Sequence, residues 1–101
     1  MHYLLFYTYV PDVLERRAEF RGAHLKHAWT AQQRGELVLG GALTDPVDTG
    51  VLLFSAPAKE LVEKFATDDP YVKGGLVTKW TVRSWATVVG DAASNPIRPD
   101  A

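Results

Sequence analysis

Residues 2–10 read HYLLFYTYV. These nine residues are rich in aromatic and β-branched side chains and contain neither glycine nor proline, so they read as a strand. Alternate side chains of a strand leave on opposite faces: Tyr3, Leu5, Tyr7 and Tyr9 on one, Leu4, Phe6, Thr8 and Val10 on the other. Both faces are largely apolar, which calls for cover on both sides. What the rest of the chain can offer as cover decides the fold.

Pro11-Asp12 turns the chain into a helix expected over about residues 12–34, with acidic residues early, Lys26 and Arg34 late, and Gly35 as its stop. Gly22 inside it costs about 1 kcal/mol relative to alanine and marks either a break or a close backbone approach. Residues 36–43 read as a second strand, where Gly40-Gly41 suggests a bulge or a bulky group near the backbone. Turn chemistry at Thr44-Asp45-Pro46 and Asp48-Thr49-Gly50 leads to a third strand at 51–55, completing a hairpin. Ser55 is then a candidate cap for a second helix with Pro57 in its first turn, an apolar stripe of Ala58, Leu61, Val62 and Phe65, and a Glu60–Lys64 pair. That helix ends before Pro70, leaving Asp68-Asp69-Pro70-Tyr71 as a tight exit and Lys73-Gly74-Gly75 as a mobile link. Residues 78–89 read as the last strand, with Trp80 on one face and Trp85 on the other.

The order is βαββαβ, a ferredoxin-like split βαβ of the α+β class: an antiparallel sheet with both helices on one face. Residues 1–90 form one domain on this reading and 91–101 a flexible tail. Two helices leave the second sheet face bare, and its large side chains predict a homodimer of two sheets packed back to back, or a higher oligomer built on it.

The 101 residues carry 11 Lys and Arg against 12 Asp and Glu, a net charge of −1. Such balance supplies no basic field for nucleic acid or an anionic membrane surface. The absence of cysteine removes thiol nucleophiles, disulfides and thiolate metal sites together. The apolar opening is too short to span a bilayer and has no basic n-region or cleavage site, so the expectation is a cytoplasmic protein. No phosphate loop, dinucleotide fingerprint or nucleophile elbow occurs.

The candidate chemistry lies in RAEFRGAHL, residues 17–25. On a helical wheel of about 100° per residue, with His24 at zero, Phe20 falls near about −40°, Arg17 near about +20°, Ala28 near about +40° and Arg21 near about +60°. An imidazole and two guanidinium groups thus share the apolar arc, where an unpaired charge is costly. His24 is either a general acid or base or a core histidine bonded to a carbonyl. Arg17 and Arg21 hold either an anionic substrate or structural partners among Asp12, Asp68 and Asp69. From the residues alone, Asp68 and Asp69 are equal candidates to pair with His24. His27 is expected in solvent at the edge of the polar face; His2 carries no signal, and no metal site is expected from so few ligands.

Leu14-Glu15-Arg16-Arg17, Arg21-Gly22-Ala23-His24-Leu25, Gly35-Glu36-Leu37 running to Gly40-Gly41-Ala42-Leu43, and Asp69-Pro70-Tyr71 with Gly74-Gly75 resemble, in that order and spacing, the YciI-like (YCII-related) proteins. The resemblance covers about residues 3–85; Gly22 stands where the R-P-A-H-L form of the motif has proline, and the hairpin between 43 and 51 is short. It implies a dimeric ferredoxin-like α/β barrel whose pocket is lined by a histidine and an aspartate, carried onto His24 and Asp69. One relative of the fold resembles a dehydrochlorinase acting on a chlorinated hydroxyquinol. The expectation is a small enzyme without metal or organic cofactor, performing lyase- or hydrolase-type proton transfer on a small aromatic or acidic molecule. His24 and Asp69 are the catalytic pair, and Arg17, Arg21 and Tyr71 the substrate-binding residues. The alternatives are a non-catalytic ligand-binding or regulatory module using the same pocket, and a heme-binding or cofactor-free monooxygenase of the dimeric barrel class.

Overall fold

The computed structural model describes residues 1–100; Ala101, the last residue of the expected tail, lies outside them. Its elements are β1 (His2–Tyr9), α1 (Val13–Arg16), α2 (Ala18–Gln33), β2 (Leu37–Ala42), β3 (Thr49–Ser55), α3 (Lys59–Asp68), α4 (Pro70–Lys73) and β4 (Val77–Trp85). The strands form one antiparallel sheet in the order β2-β3-β1-β4, the ferredoxin-like α+β topology.

The register places Tyr3, Leu5 and Tyr7 beside Phe54, Leu52 and Gly50 on one side and Ser84, Val82 and Trp80 on the other. This is the helix-covered face: Leu5, Tyr7 and Phe54 are fully buried, and Val62, Phe65, Ala66 and Leu76 close over them. On the opposite face Leu4 and Phe6 lie beside Leu53 and Val51, all four only half-buried. Trp85, 46% exposed, ends that face next to His2.

Several elements depart from the sequence reading. The long helix expected over 12–34 is two, with Arg17 at the junction as C-cap of α1 and N-cap of α2. Gly22 breaks nothing and has no neighbour a side chain would meet; it lies exposed within α2. The irregularity in the β2–β3 pairing falls between Leu37 and Leu39 rather than at Gly40-Gly41, which pair in register with Leu52 and Val51. Ser55 stays in β3, and α3 starts after an extended Ala58 with no side-chain cap. Lys64 reaches forward to Asp68 at 3.0 Å rather than back to Glu60. The one-turn helix α4 follows the exit expected at residues 68–71 and takes in Lys73 of the link expected to be mobile, with Gly74 as its C-cap; the Phe20 ring packs so closely on Gly74 that a β-carbon there would collide with it. β4 stops at Trp85, four residues earlier than expected. Beyond it the chain doubles back, with Asn95 and Ile97 donating their amides to the carbonyls of Thr87 and Val88.

α2 packs against α4 and the edge strand β2. Among its residues only Ala31 is fully buried, while Phe20, His24, His27 and Ala28 are half-buried. The helix thus stands as a wall along one edge of the sheet, and a cavity lies between the two.

Candidate active site

The site is built on the junction between α3 and α4. Pro70 occupies the first turn of α4, where its fixed φ suits the helix and its missing N–H costs nothing. Asp69 is therefore the N-cap, extended at φ −70° and ψ 126°, and its Oδ1 accepts the amide of Tyr71 at 3.0 Å. A capping aspartate is usually wet, but this one is fully buried.

Two further donors converge on it. His24 Nδ1 lies 2.8 Å from Oδ1 and 3.0 Å from Oδ2, and the Tyr7 hydroxyl donates to Oδ2 at 2.7 Å. Burial and the neighbouring carboxylate push the Tyr7 phenol far above its ordinary range, so it stays a protonated donor. A carboxylate receiving these bonds is acceptor-only, so Nδ1 of His24 carries its proton and, in the neutral ring, Nε2 keeps its lone pair. The imidazole stacks on Tyr71, centroids 3.7 Å apart and planes 4° from parallel, which fixes its second axis. Among the described residues no buried side-chain nitrogen or oxygen lacks a partner, and no atom of theirs bonds Nε2. That nitrogen opens on the cavity.

The cavity holds about 470 Å³, within the range of small-molecule sites, roughly 300–1,000 Å³. Arg17, Arg21, His24 and Trp29 line one wall, Leu37 to Ala42 and Leu52 the other, and Tyr9 and Tyr71 the end. Gly40 and Gly41 leave their stretch of the β2 wall without side chains, which gives the paired glycines their place. Arg17 and Arg21 form no ion pair among the described residues: Asp12 faces Arg16 at 3.9 Å and Asp68 is held by Lys64. Both guanidinium groups nevertheless sit near the tyrosines. Burial pushes Tyr9 up to about 12, with Tyr71 and Asp69 adding to the rise and Arg17 and Arg21 opposing it. Burial likewise raises Tyr71 against the pull of Arg21 and Arg17.

Four of the five sequence candidates, Arg17, Arg21, His24 and Tyr71, thus line one cavity, and the fifth, Asp69, is buried behind it and is the one of the two aspartates that bonds His24. Asp68, its side chain 44% exposed, lies on the outer surface, where its hydrogen bond to Lys64 holds its carboxyl below the usual range. His27 is not in solvent: its Nε2 bonds the Phe65 carbonyl at 3.0 Å and its ring stacks on Phe65 at 4.3 Å. The turn of α2 that carries it faces α3, and the imidazole satisfies a carbonyl near the end of that helix. The sequence reading missed Tyr7, Tyr9 and Trp29 as parts of the site. The alternation in β1 already placed both tyrosines on the helix face, where a buried hydroxyl needs a partner. Among the described residues no group of three potential metal ligands gathers, and no helix is long and apolar enough to cross a membrane.

A ferredoxin-like α+β domain with a histidine lining its helix-side cavity and a buried aspartate behind that histidine defines the class. The chain belongs to the YCII-related domain family, whose model matches residues 1–86. It is similar in structure to the 5-chloro-2-hydroxyhydroquinone dehydrochlorinase of Burkholderia phenoliruptrix AC1100 in complex with 2,5-dihydroxybenzoquinone, with a TM-score of 0.74 and 24% identity over 86% of this chain and 95% of that one. It is also similar to protein Atu4242 of Agrobacterium tumefaciens, with a TM-score of 0.57 and 11% identity over 94% of this chain and 99% of that one. At these identities the likeness speaks for the fold. No protein of curated function matches the chain.

Proposed function

We propose that the protein is an enzyme without metal or organic cofactor that performs lyase- or hydrolase-type acid/base chemistry on a small aromatic or acidic molecule. One observation carries the reading: His24 is held through Nδ1 by a buried carboxylate, and its other ring nitrogen serves a cavity bearing two guanidinium groups that have no ion-pair partner among the described residues. In the lyase form, Nε2 takes a proton from the substrate, the electron pair of that bond becomes a new π bond, and the leaving group departs with its own pair. In the hydrolase form, Nε2 takes a proton from water as the water oxygen bonds the substrate, and the leaving group departs with the electron pair of the bond that breaks. Asp69 balances the imidazolium charge, Arg17 and Arg21 meet the negative charge on the substrate, and Tyr71 supports the ring plane of His24. The dehydrochlorinase likeness supports a lyase step and a ring substrate of phenolic or quinone type.

The test is a panel of small phenolic, quinone and aromatic acid compounds, screened for binding and turnover with the wild type and His24→Gln. The enzyme reading expects turnover to fall by about 10²–10⁴ in the variant while binding survives. A variant that binds and turns over as the wild type does would contradict it. Binding by both proteins with turnover by neither favours the non-catalytic module.

The half-buried face of Leu4, Phe6, Val51 and Leu53 further supports a homodimer of back-to-back sheets. Sedimentation at micromolar concentration tests this: a dimer is expected, and a monomer refutes it.

A further inference from the structure

The bond between Tyr7 and Asp69 has no role in the proton transfer just proposed, yet it spans the molecule. Tyr7 lies in β1, one of the two inner strands of the sheet; it is fully buried, and its hydroxyl bonds a carboxylate 62 residues away in sequence. As a filler of apolar space, phenylalanine would serve equally. The hydroxyl has one bond, donated to Oδ2, the oxygen that the α4 amide leaves free. The amide and the hydroxyl therefore each claim one carboxylate oxygen. Together they fix the carboxylate plane, and both oxygens lie within 3.0 Å of His24 Nδ1.

We infer that Tyr7 is a positioning residue, whose hydroxyl orients the Asp69 carboxylate and sets the strength with which it holds His24, with Nε2 turned to the cavity. This rests on the acid/base reading of the site only for its catalytic consequence; the structural consequence can be read in the free protein. A donor to a carboxylate draws off part of its charge. Removing that donor leaves Oδ2 with nothing but His24 to satisfy it, so the carboxylate binds the imidazolium form more strongly. The charged and titratable groups that border His24 are Asp69 and Tyr71 from α4, Tyr7 and Tyr9 from β1, and Arg17 and Arg21 from its own arm. Only Tyr7 among the tyrosines bonds the carboxylate through its side chain.

The decisive experiment follows the His24 ring-proton titration by NMR in the wild type, Tyr7→Phe, Asp69→Asn and the double variant. Tyr7→Phe is expected to move the His24 midpoint to higher pH by about one unit, the scale of a hydrogen bond to a charged group. In the Asp69→Asn background the same change is expected to move it by less than about a third of that, because the effect travels through the carboxylate. An unmoved midpoint in Tyr7→Phe, a downward move, or an equal shift in both backgrounds would overturn the inference. Should Tyr7→Phe fail to fold, the wild type carries the test: the Tyr7 hydroxyl proton is expected to resist exchange and show cross-relaxation with the His24 Nδ1 proton. A hydroxyl in fast exchange with water would overturn it. None of these outcomes depends on turnover, so a failed substrate screen and a failed Tyr7 experiment are separate results.

Discussion

Asp68 and Asp69 are neighbours in the chain and opposites in the fold. Asp68 ends α3 on the outside and pairs with Lys64 one turn earlier, with solvent reaching both partners. Asp69 starts α4 on the inside and takes an amide, a phenol and an imidazole in a fully buried place. The difference comes from Pro70. By ending α3 and fixing the first turn of α4, it swings the second aspartate under the helix while leaving the first on the surface. A carboxylate in water is mostly hydrated and its pairing is weak; one removed from water and given several donors is held firmly and can fix the state of whatever it touches.

The largest effect expected from that contrast is on stability. Asp69→Ala strips the cap from α4 and leaves the Tyr7 hydroxyl and the Tyr71 amide buried without an acceptor, costing about 3 kcal/mol in urea unfolding. Asp68→Ala is expected to leave the urea midpoint unchanged; equal losses at the two positions would erase the distinction. Next comes ligand affinity, since only the inner side faces the cavity. Arg17→Ala and Arg21→Ala are each expected to weaken binding of an anionic ring compound about tenfold by calorimetry, whereas Lys64→Ala leaves it unchanged.

Alkaline stability should separate the two sides as well. Tyr9 titrates near 10 when unfolded and at about 12 when folded, so above pH 10 the unfolded chain gives up the proton first. The contribution is fully present below pH 10 and lost as pH rises to about 12. Tyr9→Phe should move the alkaline unfolding midpoint upward, followed by circular dichroism. The smallest effect concerns salt: raising ionic strength weakens the Lys64–Asp68 pair and leaves the His24–Asp69 bond distance, read from the Nδ1 proton shift, unaltered.

Much of the fold was legible because it depends on patterns with a fixed period. The alternation in residues 2–10 separated the helix-covered face from the half-buried one, and the glycines and prolines marked most element ends. The element count failed where one side chain decided between local options. Nothing in Arg17 announces that it joins two helices, and only the fold shows that Phe20 packs on Gly74 at the end of a helical turn over residues 70–73. For the site, the wheel alone drew Arg17, Arg21 and His24 to the inner side, and the family resemblance added Tyr71. Choosing Asp69 over Asp68 needed that resemblance, because both precede the turn and differ only in which way Pro70 directs them. Tyr7 went unrecognised as part of the site for a related reason: its alternation said buried, but a partner 62 residues away is set by tertiary packing. His27 was misjudged because its solvent-edge angle on the wheel ignored α3, which packs against that edge.

The hydrogen bond from His24 Nδ1 to Asp69 should fix the neutral ring in the form protonated at Nδ1, with Nε2 the unprotonated nitrogen. Nitrogen-15 NMR of the ring, recorded at a pH where His24 is neutral, reads this directly. A protonated Nδ1 and an unprotonated Nε2 are expected in the wild type, with that preference lost in Asp69→Asn. A neutral ring protonated at Nε2 in the wild type would contradict it.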